Sequence, residues 1–151
     1  MYLAEAVTEM EFIQDSISKI QNRIESLMVV KDKLDFESVQ ALLKEKFTEL
    51  GELYKKYQQF GVTIERAKSN SVIQVNNSKL SLADAMTIKN VMLDKLETFE
   101  AISSEAERIN KGDKGIMCLD LEEVYKEVES VRVDIKTLAG EIDFALWQVE
   151  V

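Results

Sequence analysis

The stretch LEEVYKEVESVRVDIKTLAGEIDFALWQV, residues 121–149, decides the fold. Its apolar positions are Leu121, Val124, Val128, Val131, Ile135, Leu138, Ile142, Ala145 and Val149. Successive steps alternate three and four residues without a break, which draws one line along an α-helix and keeps a heptad pattern throughout. Asp120 stands ahead of it as a helix N-cap, and Glu123 occupies the third helical position, where an acid answers the free backbone amides. Trp147 lies off the line, so a second contact surface is expected near the C-terminus, within the chain or between chains.

The same periodicity recurs upstream. Leu3, Val7, Met10, Ile13, Ile17, Ile20, Ile24 and Leu27 line one face of a first helix of about 28 residues. A polar break follows at Lys31 to Asp35. Phe36, Val39, Leu43, Phe47, Leu50, Tyr54, Tyr57, Ile64 and Ala67 then mark a second, more aromatic helix running to about Ser69. Gly51 and Gly61 fall inside it and weaken it without ending it, so an irregularity is expected near Gly61. A third helix opens at Ser81, a good N-cap with Asp84 three residues on, and carries Leu82, Ala85, Ile88, Met92, Leu96, Phe99 and Ile102. Between the second and third helices the texture changes. Ser71-Val72-Ile73-Gln74-Val75 is rich in β-branched residues, Asn76-Asn77-Ser78 is a turn, and Lys79-Leu80 resumes, which together read as a short β-hairpin. Asn110 to Gly115 is a turn-rich loop, and Ile116 to Leu119 reads as a further short strand that pairs with the hairpin. The chain is therefore expected to be mainly all-α: a single domain over 1–151, with four long helices in an antiparallel bundle or coiled-coil arrangement and a small β-hairpin at one end.

Composition narrows the chemistry. The 151 residues hold 28 acids and 19 bases, a formal charge of −9, and 46% are hydrophobic, enough for a core. There is no histidine, no proline and one cysteine. A histidine triad is therefore impossible, an intrachain disulfide likewise, and the glutamate–histidine di-metal site of helical bundles lacks its histidines. Residues such as Glu122, Glu123, Glu127 and Glu129 read as a solvated helix face rather than as acid–base pairs. Lys111-Gly112-Asp113-Lys114-Gly115 does not have the spacing of a phosphate loop. Cys118, between Met117 and Leu119, reads as a buried structural thiol. No cofactor and no metal are expected, and an enzyme is the least favoured class.

The charge is unevenly spread. Residues 1–30 and 120–151 carry all of the net negative charge, while 31–119 are balanced. Nucleic acid is a poor partner, because no basic face interleaves with aromatic residues. No apolar run approaches the length of a membrane span, and acids at Glu5, Glu9 and Glu11 interrupt anything resembling a signal peptide, so a cytoplasmic location is expected. The middle of the chain is where an anion would be tolerated. Arg66, Lys68, Asn70, Gln74, Asn76, Asn77 and Lys79 concentrate there, just before a helix N-terminus, with Lys111 and Lys114 approaching from the other loop. These nine residues are the candidate site for a small anionic, phosphorylated ligand or for a partner protein. The narrow stripes leave helix flanks that want cover, so a homo-oligomer is expected.

Three stretches together resemble the septicolysin-like family of small bacterial proteins: Leu3-Ala4-Glu5-Ala6, Asn70 with Leu80-Ser81-Leu82-Ala83-Asp84-Ala85, and Asp120 through the ending Trp147-Gln148-Val149-Glu150-Val151. The resemblance covers nearly the whole chain. It implies long helices with a small hairpin at one end, whose Asn-rich entry Asn70 would match. The basic, serine-containing stretch usual between the third and fourth helices is replaced here by Asn110 to Met117, with only Lys111 and Lys114 positive, and Ser78 stands near where a turn glycine is usual. The expectation from residues and resemblance together is a non-enzymatic binding or interaction protein that self-assembles and holds or sequesters a ligand near the hairpin end. The alternatives are a structural coiled-coil assembly protein and a membrane-active protein of the kind the family name denotes.

Overall fold

The structure is a computed structural model that describes residues 1–112, 115 and 117–151. Its elements run α1 (Leu3–Leu27), a 3-10 turn (Lys33–Asp35), α2 (Phe36–Asn70), β1 (Val72–Val75), β2 (Ser78–Ser81), α3 (Leu82–Asn110) and α4 (Leu121–Leu146). The protein is mainly helical, with four helices and one small hairpin. Its contacts group into two compact units, residues 1–67 with 147–151, and residues 68–146.

In the first unit, α1 starts at Leu3, where the Glu5 carboxylate accepts the Tyr2 backbone N–H at 2.7 Å. Leu3, Ala6, Ile13, Ile17 and Ile24 are its buried face. The polar break becomes the 3-10 turn, opened by Asp32, whose Oδ1 accepts the Leu34 N–H at 3.0 Å. Helix α2 then runs unbroken for 35 residues. The irregularity expected at Gly61 does not form: a methyl group there would meet nothing within 4 Å, and one glycine costs less than the helix around it contributes. The chain ends also meet. Leu3 N–H donates to the Val149 carbonyl at 2.7 Å and Val151 N–H to the Met1 carbonyl at 2.9 Å, with Tyr2 and Glu150 forming an antiparallel bridge. The α4 stripe was expected to reach Val149, but α4 ends at Leu146. Beyond that point the backbone groups of Val149 and Val151 pair with the first residues instead of with the preceding helical turn.

In the second unit, α3 and α4 form an antiparallel pair. Tyr125 Oη donates to the Glu107 carboxylate, and Arg132 Nη2 donates to Glu100 at 2.6 Å, so numbers fall on α3 as they rise on α4. Leu82, Ala85 and Ala106 of α3 are buried, as are Val128, Val131, Leu138, Ile142 and Ala145 of α4. Both helix starts are capped as their sequences require. Ser81 Oγ accepts the Asp84 N–H at 3.0 Å, and Asp120 Oδ1 accepts the Glu122 N–H at 2.9 Å.

The hairpin pairs Val72 with Ser81, Ile73 with Leu80, Gln74 with Lys79 and Val75 with Ser78. Asn76 and Asn77 both take positive φ, 48° and 66°, as a two-residue turn matched to the strand twist demands, and asparagine tolerates that region better than most residues. Ile73 is buried, β1 packs on α3 and α4, and Leu82 N–H closes the corner by donating to the Ser71 carbonyl at 2.8 Å. The sheet holds β1 and β2 alone among the described residues. Of the extra strand expected over Ile116 to Leu119, the described residues Met117 to Leu119 form no part. Met117 to Leu119 are irregular, and Ile116 lies outside the described residues.

Ile142 is 1% exposed within the α3–α4 seam. Its replacement by alanine is expected to lower stability by about 2–5 kcal/mol in urea unfolding, through lost burial and the cavity left behind. Loss of the α3 cap in Ser81→Ala is expected to cost about 1 kcal/mol in the same measurement. Gly61→Ala, in a helical position with open space, is expected to raise stability by about 0.5–1 kcal/mol.

Candidate functional site

The hairpin places part of the expected site on one face. Gln74 and Lys79 are direct cross-strand partners, so their side chains share a face, and both are exposed. Asn76 and Asn77 form the exposed tip, and Asn70 ends α2 just before β1. Lys68 is half-buried in the last turn of α2 and already engaged. Arg66 is an exposed α2 residue that belongs to the first compact unit.

Lys111 does not join this group. It caps the C-terminal end of α3, whereas the hairpin precedes the N-terminal end. The 29 residues between span about 43 Å at 1.5 Å per residue. Lys114 lies outside the described residues.

The helix N-terminus expected to attract an anion is already served. Ser81 Oγ takes one first-turn amide, and the exposed Asp84 puts a negative charge in that same turn. Its dipole is thus met by the chain's own carboxylate. The hairpin end is a polar tip that carries Lys79 on its exposed face.

The concave surface lies along the other half of the α3–α4 pair, which the sequence reading did not single out. One depression of about 740 Å³ is lined by Ala101, Ile102, Ile109, Met117 and Leu119 and rimmed by Glu97 and Glu105. A neighbouring one of about 560 Å³ shares Ile102 and Leu119 and adds Phe99 and Val124, with Asp120, Glu123 and Glu127 at its margin. The first is mainly apolar, whereas the second is mixed and also lined by Lys126. Ile102 was expected in the apolar stripe of α3 but is 46% exposed, and Ile109, seven residues on along the same face, is exposed with it. Cys118 beside them is exposed and in no disulfide. The buried thiol expected there requires an apolar strand, and the segment is irregular instead.

Several exposed polar groups of α3 and α4 are paired with one another. The hydrogen bond to Glu107 raises the Tyr125 hydroxyl above its ordinary pKa. That to Arg108 holds the Glu105 carboxyl below the usual range. Glu122 pairs with Lys126 at 3.6 Å, and Glu129 with Arg132 at 3.6 Å. All are solvent-exposed pairs of small energetic weight; Tyr125 and Glu107 join α4 to α3, and the others lie three or four residues apart along one helix. The described residues contain no cluster of three or more His, Cys, Asp or Glu able to hold a metal ion, and no buried polar side chain without a partner. None of their helices is long and apolar enough to cross a membrane.

No family model matches the sequence, and no curated protein matches it. Among solved structures the chain is similar to a functionally unknown conserved protein from Corynebacterium diphtheriae. The match covers 100% of this chain and 98% of that one, with 22% sequence identity and a TM-score of 0.82, and it establishes the arrangement of four helices and a hairpin as a fold that occurs in a crystal structure.

Proposed function

We propose that this chain is a non-enzymatic interaction protein that self-assembles through its helix faces. One observation carries the reading. Helix α2 is 35 residues long and buries a single residue, Ile64. Isolated helices are marginal in water, and helices in proteins owe their stability to packing of an apolar face. Yet Phe36, Phe47 and Tyr54 of α2 stand 54%, 58% and 53% exposed. Covering what remains exposed of each ring is worth about 1 kcal/mol, so several together favour association.

The other helices add to this surface. Phe12 on α1, Val91 and Ile102 on α3, and Val133 and Phe144 on α4 are all exposed. Single exposed apolar residues are ordinary, but rows of them along several helices mark contact faces. The hairpin fits this reading as a polar tip for contact with a protein, since its own acid Asp84 opposes a small anion. Trp147, 56% exposed near the end of the chain, belongs to the same set.

Light scattering behind size exclusion tests the reading over a wide range of loading concentrations. The expected molar mass is at least twice that of one chain and falls on dilution. A mass that stays at one chain throughout, even at several hundred micromolar, would contradict it.

A further inference from the structure

The second half of α3, the segment Met117 to Leu119 and the first turns of α4 border an open trough, all of it within the second compact unit. Its floor is the mainly apolar depression of about 740 Å³, with Ala101, Ile102, Ile109, Met117 and Leu119. Ile102 and Leu119 also line the neighbouring depression, so the trough continues to Phe99 and Val124. Ile102, Ile109 and Leu119 are exposed, and apolar floor left in water is surface that a partner can bury. From Glu97 to Ile109 the trough follows α3 for about 18 Å, or roughly three helical turns.

Carboxylates stand along it on both helices, Glu97 and Glu105 on α3 and Glu123 and Glu127 on α4. Among the described residues the base that lines it is Lys126, which pairs with Glu122, and Arg108 pairs with Glu105. Glu97, Glu123 and Glu127 are exposed and in no ion pair among the described residues. Residues 97–127 hold nine acids and four bases, so five of the nine net negative charges fall in about one fifth of the chain. An anion is repelled here and a cation is drawn in.

The two features select the occupant together. A wholly apolar ligand leaves the carboxylates without counter-charge, and a simple cation leaves the floor in water. An amphipathic helix of about three turns meets both, with apolar residues at every third or fourth position laid on the floor and lysine or arginine on its flanks. No helix of this chain has that character. Helices α1, α3 and α4 are net acidic, and α2 carries one base in excess over 35 residues. The matching helix therefore belongs to a different protein.

We propose that the trough along α3 and the start of α4 is a docking site for a basic amphipathic helix of a partner protein. Fluorescence anisotropy tests it with a labelled probe, a synthetic leucine–lysine peptide of about 14 residues patterned as an amphipathic helix, compared with its leucine–glutamate counterpart. At about 0.15 M salt the lysine peptide is expected to bind with a dissociation constant of about 1–100 μM, and the glutamate peptide at least about tenfold more weakly. Glu97→Lys with Glu123→Lys is expected to raise the constant for the lysine peptide about tenfold or more. Ile102→Ser with Ile109→Ser, at unchanged charge, is expected to raise it about fivefold or more. Glu9→Lys with Glu11→Lys, exposed on α1, alters the net charge as much as the first pair does and is expected to leave the constant within about threefold. Circular dichroism confirms that each variant keeps its helix content. A lysine peptide that does not bind, or a glutamate peptide that binds equally well, would overturn the proposal. So would an α1 variant as weakened as the trough variant, or a serine variant of unchanged affinity.

Discussion

A helix whose apolar residues recur at steps of three and four can bury one line against a neighbour, and the α3–α4 seam is where this chain does so most fully. Val128, Val131, Leu138, Ile142 and Ala145 supply that line on α4, and Leu82, Ala85 and Ala106 lie on α3. The hairpin sits on the same pair, held by Ile73 and by the Ser71–Leu82 hydrogen bond. A narrow seam has a cost. A globular helix with a stripe wider than about 100° has surplus apolar surface once one neighbour is in place, and that surplus must face either water or another molecule. Helix α2 is the extreme case, with the longest span and a single buried residue.

The chain has no histidine, and among the described residues the charged side chains all lie on the surface. On that surface the informative property is pattern rather than total charge. The formal charge of −9 suggests mutual repulsion between copies. Its distribution softens this, because α2 carries a basic excess and the remaining helices an acidic one.

Much of the fold was legible in the sequence because the signals were local. Ser81 and Asp120 cap the helices they precede, Asn76 and Asn77 take the positive φ of a tight hairpin turn, and the heptad steps of α4 define its buried face. The misreadings came where non-local pairing decided. Val149 continues the apolar period but leaves the helix because its carbonyl accepts from Leu3, 146 positions earlier in the chain. Met117 to Leu119 have strand-like composition but no partner strand among the described residues. Lys111 was grouped with the hairpin by charge alone, and the length of α3 keeps it at the far end. Arg66, Lys68, Asn70, Gln74, Asn76, Asn77 and Lys79 are neighbours in sequence, yet the structure brings only Gln74 and Lys79 directly opposite each other. Glu97 and Glu105 at the α3 depression have no spacing that sets them apart from the other acids of that helix.

The central claim is that α2 owes its stability to cover from another copy. Hydrogen exchange of the α2 backbone amides, followed at low and high protein concentration, tests it most directly, since association stabilises the covered helix by mass action. The account predicts that protection between Phe36 and Tyr54 rises with concentration while that of the buried α4 seam around Ile142 changes much less. Equal protection of α2 at every concentration would contradict it.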